Sequence, residues 1–140
     1  QPSVGRGAAG ADYDNDGDLD LLVTHIDRPV AMLRNETPTR NHFIGIELRR
    51  ADRLPPQGTQ VIVESGSRRI ARMSVGGGSY LCASDARLLI GLGDRTEPVT
   101  VEIRWQSGEV ERHEHVPLDR YWLAFEGRDL LPQIHGASTP

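Results

Sequence analysis

Five aspartates stand at alternate positions within nine residues: Asp12, Asp14, Asp16, Asp18 and Asp20. The full string is Asp12-Tyr13-Asp14-Asn15-Asp16-Gly17-Asp18-Leu19-Asp20. Carboxylates at its first, third and fifth positions can converge if the chain wraps around a point. Gly17, at the sixth position, permits the positive φ that such a bend needs. Asp18 would then offer its backbone carbonyl, and Asp20 would close the shell. An all-oxygen set of this size suits Ca²⁺, which takes 6–8 hard oxygen ligands in a flexible geometry. Zinc is disfavoured, because the string contains no His or Cys. A solvated acidic turn is the plain alternative. Two carboxylates about 4 Å apart repel by ~1 kcal/mol in water and by ~4 kcal/mol at an effective dielectric near 20. Five in nine residues therefore ask for a compensating cation. The twelfth position, where a sensor EF-hand carries a bidentate Glu, is Val23, and Leu21 to Thr24 reads as a strand. The string is an EF-hand-like ligand set in a β setting.

Other chemistry is thinner. His113 and His115, one residue apart on an expected strand, would share a side and could hold Zn²⁺ with Glu111, but no further ligand stands near in sequence. Gly76-Gly77-Gly78-Ser79 would need a following helix to cradle phosphate, and Tyr80-Leu81-Cys82 does not begin one. A bulge or tight strand crossing fits better. Cys82 has no identifiable base to activate it. Tyr80, Trp105, Tyr121 and Trp122 could stack on sugars. Trp105 lies on the apolar side of its strand, and adjacent Tyr121 and Trp122 face opposite ways. No motif supplies a nucleophile, an acid–base pair or a phosphate loop, so the chain is expected not to be an enzyme.

The elements that must position these residues are strands. Val99, Val101, Ile103 and Trp105 alternate with Thr100, Glu102 and Arg104, the period of a half-buried strand. Further strands are read at Phe43–Leu48, Val61–Val63, Arg68–Val75, Leu88–Leu92, Val110–His115 and Tyr121–Phe125. The expected fold is all-β, an antiparallel sandwich or barrel. Ahead of it the Asp loop leads into a strand at Leu21–Val23, a turn at Arg28-Pro29 and a strand at Val30–Arg34. Two strands cannot bury their faces alone, so this segment must pack on something else.

Composition narrows the function classes. The net charge is −4, yet without the five loop aspartates fifteen acids face sixteen bases, so the acidity is local. All sixteen bases are Arg, but no basic block or aromatic-interleaved basic stripe argues for nucleic acid. The single cysteine, Cys82, permits no intrachain disulfide. No apolar run approaches the ~18 residues of a membrane span. The chain begins at Gln1 without a signal peptide and reads as an excised fragment or processed product.

Taken together, the motifs resemble known families. Ala11 to Val23 is similar to the calcium loop of FG-GAP/VCBS repeats, which build the blades of integrin-like β-propellers. The remainder of the chain, from about residue 41, resembles the ASPIC/UnbV domain of cartilage acidic protein-like proteins. The carrying motifs are Gly76-Gly77-Gly78-Ser79-Tyr80-Leu81, Gly91-Leu92-Gly93 and Ile103-Arg104-Trp105-Gln106-Ser107-Gly108. Gln106 replaces a family proline, Cys82 a small polar residue, and Gly58-Thr59-Gln60 a Gly-Ala-Arg step. The resemblance implies a partial repeat over 1–40, a β domain over 41–127 and a tail over 128–140, loose from Gly127 onward. It implies a secreted, periplasmic or cell-surface protein. Ca²⁺ would bind at Asp12, Asp14, Asp16, Asp18 and Asp20 as a structural staple. The partner would be a protein or an extracellular matrix or polysaccharide, engaged for interaction or adhesion. A carbohydrate-binding module is the alternative.

Overall fold

A computed structural model describes residues 4–79 and 81–133. Within them the chain is all-β, and no helix occurs. Three antiparallel strands come first: β1 (Gly5–Ala11), β2 (Asp20–His25) and β3 (Ala31–Leu33), in the order β1-β2-β3. β1 consists of small residues with no apolar period and is not legible as a strand. It forms because β2 pairs with it from Ala11↔Asp20 to Gly5↔His25. That hairpin brings the two ends of the aspartate loop side by side.

Two open four-stranded sheets come next and make a sandwich rather than a closed barrel. β4 (His42–Arg49), β9 (Leu88–Gly93), β12 (Tyr121–Phe125) and β13 (Leu131–Pro132) run in the order β13-β12-β4-β9. β5 (Gln60–Ser65), β6 (Arg68–Met73), β10 (Val99–Arg104) and β11 (Val110–Val116) run in the order β11-β10-β5-β6. β7 (Gly78–Ser79) and β8 (Cys82–Ala83) form a short ladder of their own. Among the described residues no helix succeeds the glycines; Gly78–Ser79 pairs with Cys82–Ala83 instead, which does not make a phosphate cradle. Among the described residues every pairing is antiparallel except β12 with β4, which is parallel with Tyr121 beside Gly45.

The core lies between the two large sheets. Ile44, Ile46 and Leu48 of β4, with Ile90 and Leu92 of β9, meet Val61 and Val63 of β5 and Val99, Val101 and Ile103 of β10. Nearly all are fully buried. Burying one such side chain contributes about 1.5–3 kcal/mol. Trp105 joins this core, as its strand position indicates. The outer face of the β5–β10–β11 sheet carries an ion-pair lattice in which Arg69, Arg104 and Arg112 converge on Glu102.

Two details depart from the sequence reading. His113 and His115 do not share a side. Two residues, Glu114 and His115, oppose Thr100 alone, and His115 takes φ 57°. This bulge shifts the alternation by one, so His113 and Val116 face inward together. Beyond Gly127 the chain is not loose throughout, because Leu131–Pro132 adds a strand to β12. Tyr80 and residues 134–140 of the expected tail lie outside the described residues. In contrast to the covered sandwich core, the three-stranded sheet leaves Leu21, Leu22, Met32 and Leu33 at 42–56% exposure.

Candidate metal centre

The aspartate loop closes on itself. Asp12, directly after β1, and Asp20, the first residue of β2, are buried to 2% and 4% exposure. Each offers a carboxylate oxygen, as does half-buried Asp14, and the three oxygens lie within 4.8 Å of one another. Asp16 is exposed and Asp18 half-buried, and neither belongs to this cluster. Gly17 turns the chain at φ 94° and Asn15 at 62°.

The three clustered carboxylates are held differently. Asp12 accepts the Asp16 N–H on Oδ1 at 3.1 Å and the Gly17 N–H on Oδ2 at 2.9 Å. Asp20 accepts the Tyr13 N–H at 3.0 Å and the Asn35 N–H at 2.7 Å. Those two amides, Asn35 first, hold its carboxyl below the usual range. Asp14 is the exception. Its Oδ1 has no hydrogen-bond partner among the described residues, and its Oδ2 meets the Arg34 Nη2 at 2.5 Å. Asp18 is pushed up, by burial first and then by the other four aspartates. Oxygen-only donors, two of them fixed by backbone amides and one left open on Asp14, fit a hard cation better than a soft one.

Sequence reasoning did not find what holds the loop from outside. It lies on the outer face of the β13-β12-β4-β9 sheet. Tyr121 donates its O–H to Asp12 Oδ2 at 2.7 Å. Burial, and then this donated bond, push the phenol far above its ordinary pKa. Arg87 donates through Nη2 to the Asp12 carbonyl at 2.8 Å and through Nη1 to Asn15 Oδ1 at 2.5 Å. Asp85 anchors that guanidinium at 2.6 Å, which stacks 4.2 Å from the centre of the Tyr121 ring. Phe43 packs against Tyr121 with ring centres 5.8 Å apart. The close fit requires two glycines. A Cβ on Gly17 would stand 2.1 Å from Phe43, and one on Gly45 would stand 2.1 Å from Tyr121. Backbone contacts add the Asp85 N–H to the Gly10 carbonyl at 2.9 Å. No local spacing marks these residues; Arg87 and Tyr121 are 75 and 109 positions from Asp12.

The remaining candidates stay apart. His113 faces Glu111 at 3.4 Å, and neither joins a metal-competent cluster among the described residues. Half-buried Cys82 borders a hollow with Arg6, Thr24 and Leu81. Trp122 is only partly buried. Its indole N–H donates to the Pro117 carbonyl at 3.1 Å, and its ring lines a cleft of about 350 Å³ with Arg112, His113, His115 and Asp129.

Residues 52–130 match the sequence profile of the family described as ASPIC and UnbV. Cartilage acidic protein 1 of Mus musculus is 31% identical over 114 residues. The Homo sapiens and Xenopus tropicalis proteins of that name are 30% and 29% identical. Each alignment covers 76% of this chain and 17% of the relative, so the chain spans a small part of the proteins it matches.

Proposed function

The chain belongs to the ASPIC and UnbV family, and from that membership and the loop geometry we propose that it is a non-enzymatic, exported interaction module stapled by calcium. The observation that carries the calcium reading is the convergence of Asp12, Asp14 and Asp20 within 4.8 Å, with an Asp14 oxygen that has no hydrogen-bond partner among the described residues. Asp16 and Asp18 complete the acidic environment from outside that cluster. When bound, the cation would neutralise the clustered charge and tie β1 to β2. The residues 1–40 are read as part of an FG-GAP/VCBS-type repeat. This is supported by the β1-β2-β3 sheet, its loop and its exposed Leu21, Leu22, Met32 and Leu33, apolar surface that a packed neighbour would cover. Residues 41–127 then form the ASPIC/UnbV domain. Loops of this kind in extracellular modules bind calcium at ~10⁻⁴–10⁻³ M, which fits a secreted, periplasmic or cell-surface setting and a protein or matrix partner.

Thermal unfolding in EDTA and in 10 mM calcium tests this. With those affinities, calcium stabilises by about 1.4–2.7 kcal/mol, and the midpoint rises. Asp14→Asn removes most of the rise. A midpoint indifferent to calcium in the unaltered protein overturns the reading.

A carbohydrate-binding role is the second reading, favoured by the partly exposed Trp122 in its cleft with Arg112 and Asp129. Binding on a glycan array that is lost in Trp122→Ala supports it. A blank array refutes it.

A further inference from the structure

The cation loop is built from one part of the chain and aimed by another. Asp12 is the hinge between them. Of the three donors that orient its carboxylate, two are loop amides, and the third is the Tyr121 hydroxyl at 2.7 Å. Its carbonyl is fixed by Arg87 at 2.8 Å. Arg87 is itself immobilised at several points: Asp85, Asn15 and the Tyr121 ring. Asn15 sits between Asp14 and Asp16 at φ 62°, so the guanidinium sets the backbone bend as well as one ligand. Tyr121 and Arg87 act through Asp12, a member of the carboxylate cluster.

Resting on the calcium reading above, we propose that Tyr121 and Arg87 are positioning residues for the cation site, so that calcium occupancy and the docking of the three-stranded sheet on the sandwich are one linked equilibrium. A carboxylate already turned toward the cluster binds without first being ordered, and removing its orienting partner weakens the metal by roughly 10–100-fold at sites of this kind. Linkage is reciprocal: if docking tightens calcium, calcium tightens docking by the same factor. The sandwich therefore contributes to affinity without supplying an oxygen. The chemistry requires a donor at position 121 and a fork at position 87, which explains why a Tyr rather than a Phe lies buried against the loop.

The test uses the full chain and calcium alone as the probe. Affinity is read by titration calorimetry for the unaltered protein, Tyr121→Phe, Arg87→Lys and the remote control Arg69→Gln. Tyr121→Phe keeps the ring against Phe43 and Arg87 while removing only the hydroxyl. Arg87→Lys keeps the charge and loses the fork. The expected result is about tenfold weaker calcium binding in both, with the control unchanged and near-ultraviolet dichroism reporting an intact sandwich. Limited proteolysis between β1 and β2 should show calcium protecting the unaltered loop and protecting the two variants less at equal concentration. If the unaltered protein binds calcium and both variants bind within twofold of it, the positioning role is wrong and the calcium reading stands. If the unaltered protein binds no calcium at 10 mM, both fall. Should Tyr121→Phe fail to fold, Arg87→Lys decides the matter.

Discussion

Gly45 offers the sharpest measurement of how tightly the loop platform is packed. It sits in mid-strand on β4, beside Tyr121 of β12. A Cβ there would lie 2.1, 2.2 and 2.7 Å from the Tyr121 Cδ1, Cε1 and Cγ atoms. The ring cannot yield easily, because Phe43 and Arg87 pack against it. Gly45→Ala must therefore push the ring aside. Overpacking of this kind costs about 1–3 kcal/mol. A displaced ring also withdraws the hydroxyl from buried Asp12, and a hydrogen bond to a charged group contributes roughly 1.5–3 kcal/mol. Together the change should cost about 3–5 kcal/mol, a fall in melting temperature on the order of 10 °C for a chain of this size. Urea unfolding followed by tryptophan fluorescence gives the free energy. A double-mutant cycle with Tyr121→Ala then isolates the cause. Without the ring the three nearest contacts of the new methyl are gone, so Gly45→Ala should cost much less in that background, a coupling of about 2 kcal/mol or more. An equal cost in both backgrounds would show that position 45 matters for some reason other than Tyr121.

Other perturbations test other parts. Arg34→Gln removes the guanidinium 2.5 Å from Asp14, and should tighten calcium several-fold in a titration, since the cation no longer competes with a fixed positive charge. Glu102 is held below its ordinary value of 4.5 by Arg104 first, then by Arg69 and Arg112. A depressed folded-state value means that its stabilisation is present above about pH 4.5 and is lost as pH falls through the folded value. The melting-temperature gap between the unaltered protein and Glu102→Gln should be open at pH 6, shrink as the pH falls through the folded value, and narrow in 1 M salt. Ile103→Ala, at a fully buried core position, should cost about 2–5 kcal/mol in urea unfolding without changing calcium affinity.

What could be read from the sequence was what depends on neighbours in the chain. Val99, Val101 and Ile103 alternate with polar residues, and in the structure all three are buried in β10. The aspartate string and Gly17 imply that Asp12, Asp14 and Asp16 converge with Asp20 closing the shell; Asp12, Asp14 and Asp20 do come together, while Asp16 stays exposed outside the cluster. β1 was invisible because Gly5 to Ala11 has no pattern of its own and is a strand only by pairing with β2. The inward turn of His113 rests on a bulge at His115, a left-handed conformation that its residue type does not announce. The alternation of β12 does not say which face of the sheet Tyr121 takes. It is buried on the outer face of a sheet, under a loop from the far end of the chain. Contacts across such separations leave no local period, and the parallel β4–β12 pair that sets them up is equally silent.

That long-range closure has a consequence for biosynthesis. The aspartate loop leaves the ribosome 109 residues before Tyr121, an interval of roughly 5–20 s at ordinary elongation rates. Through that interval β4 has no β12 beside it, and its apolar residues present an open edge of the kind that recruits other chains. Five like charges, Asp12 to Asp20, precede it in the chain, separated from it by β2 and β3. Closure of Tyr121 on Asp12 comes only after β12 has been made.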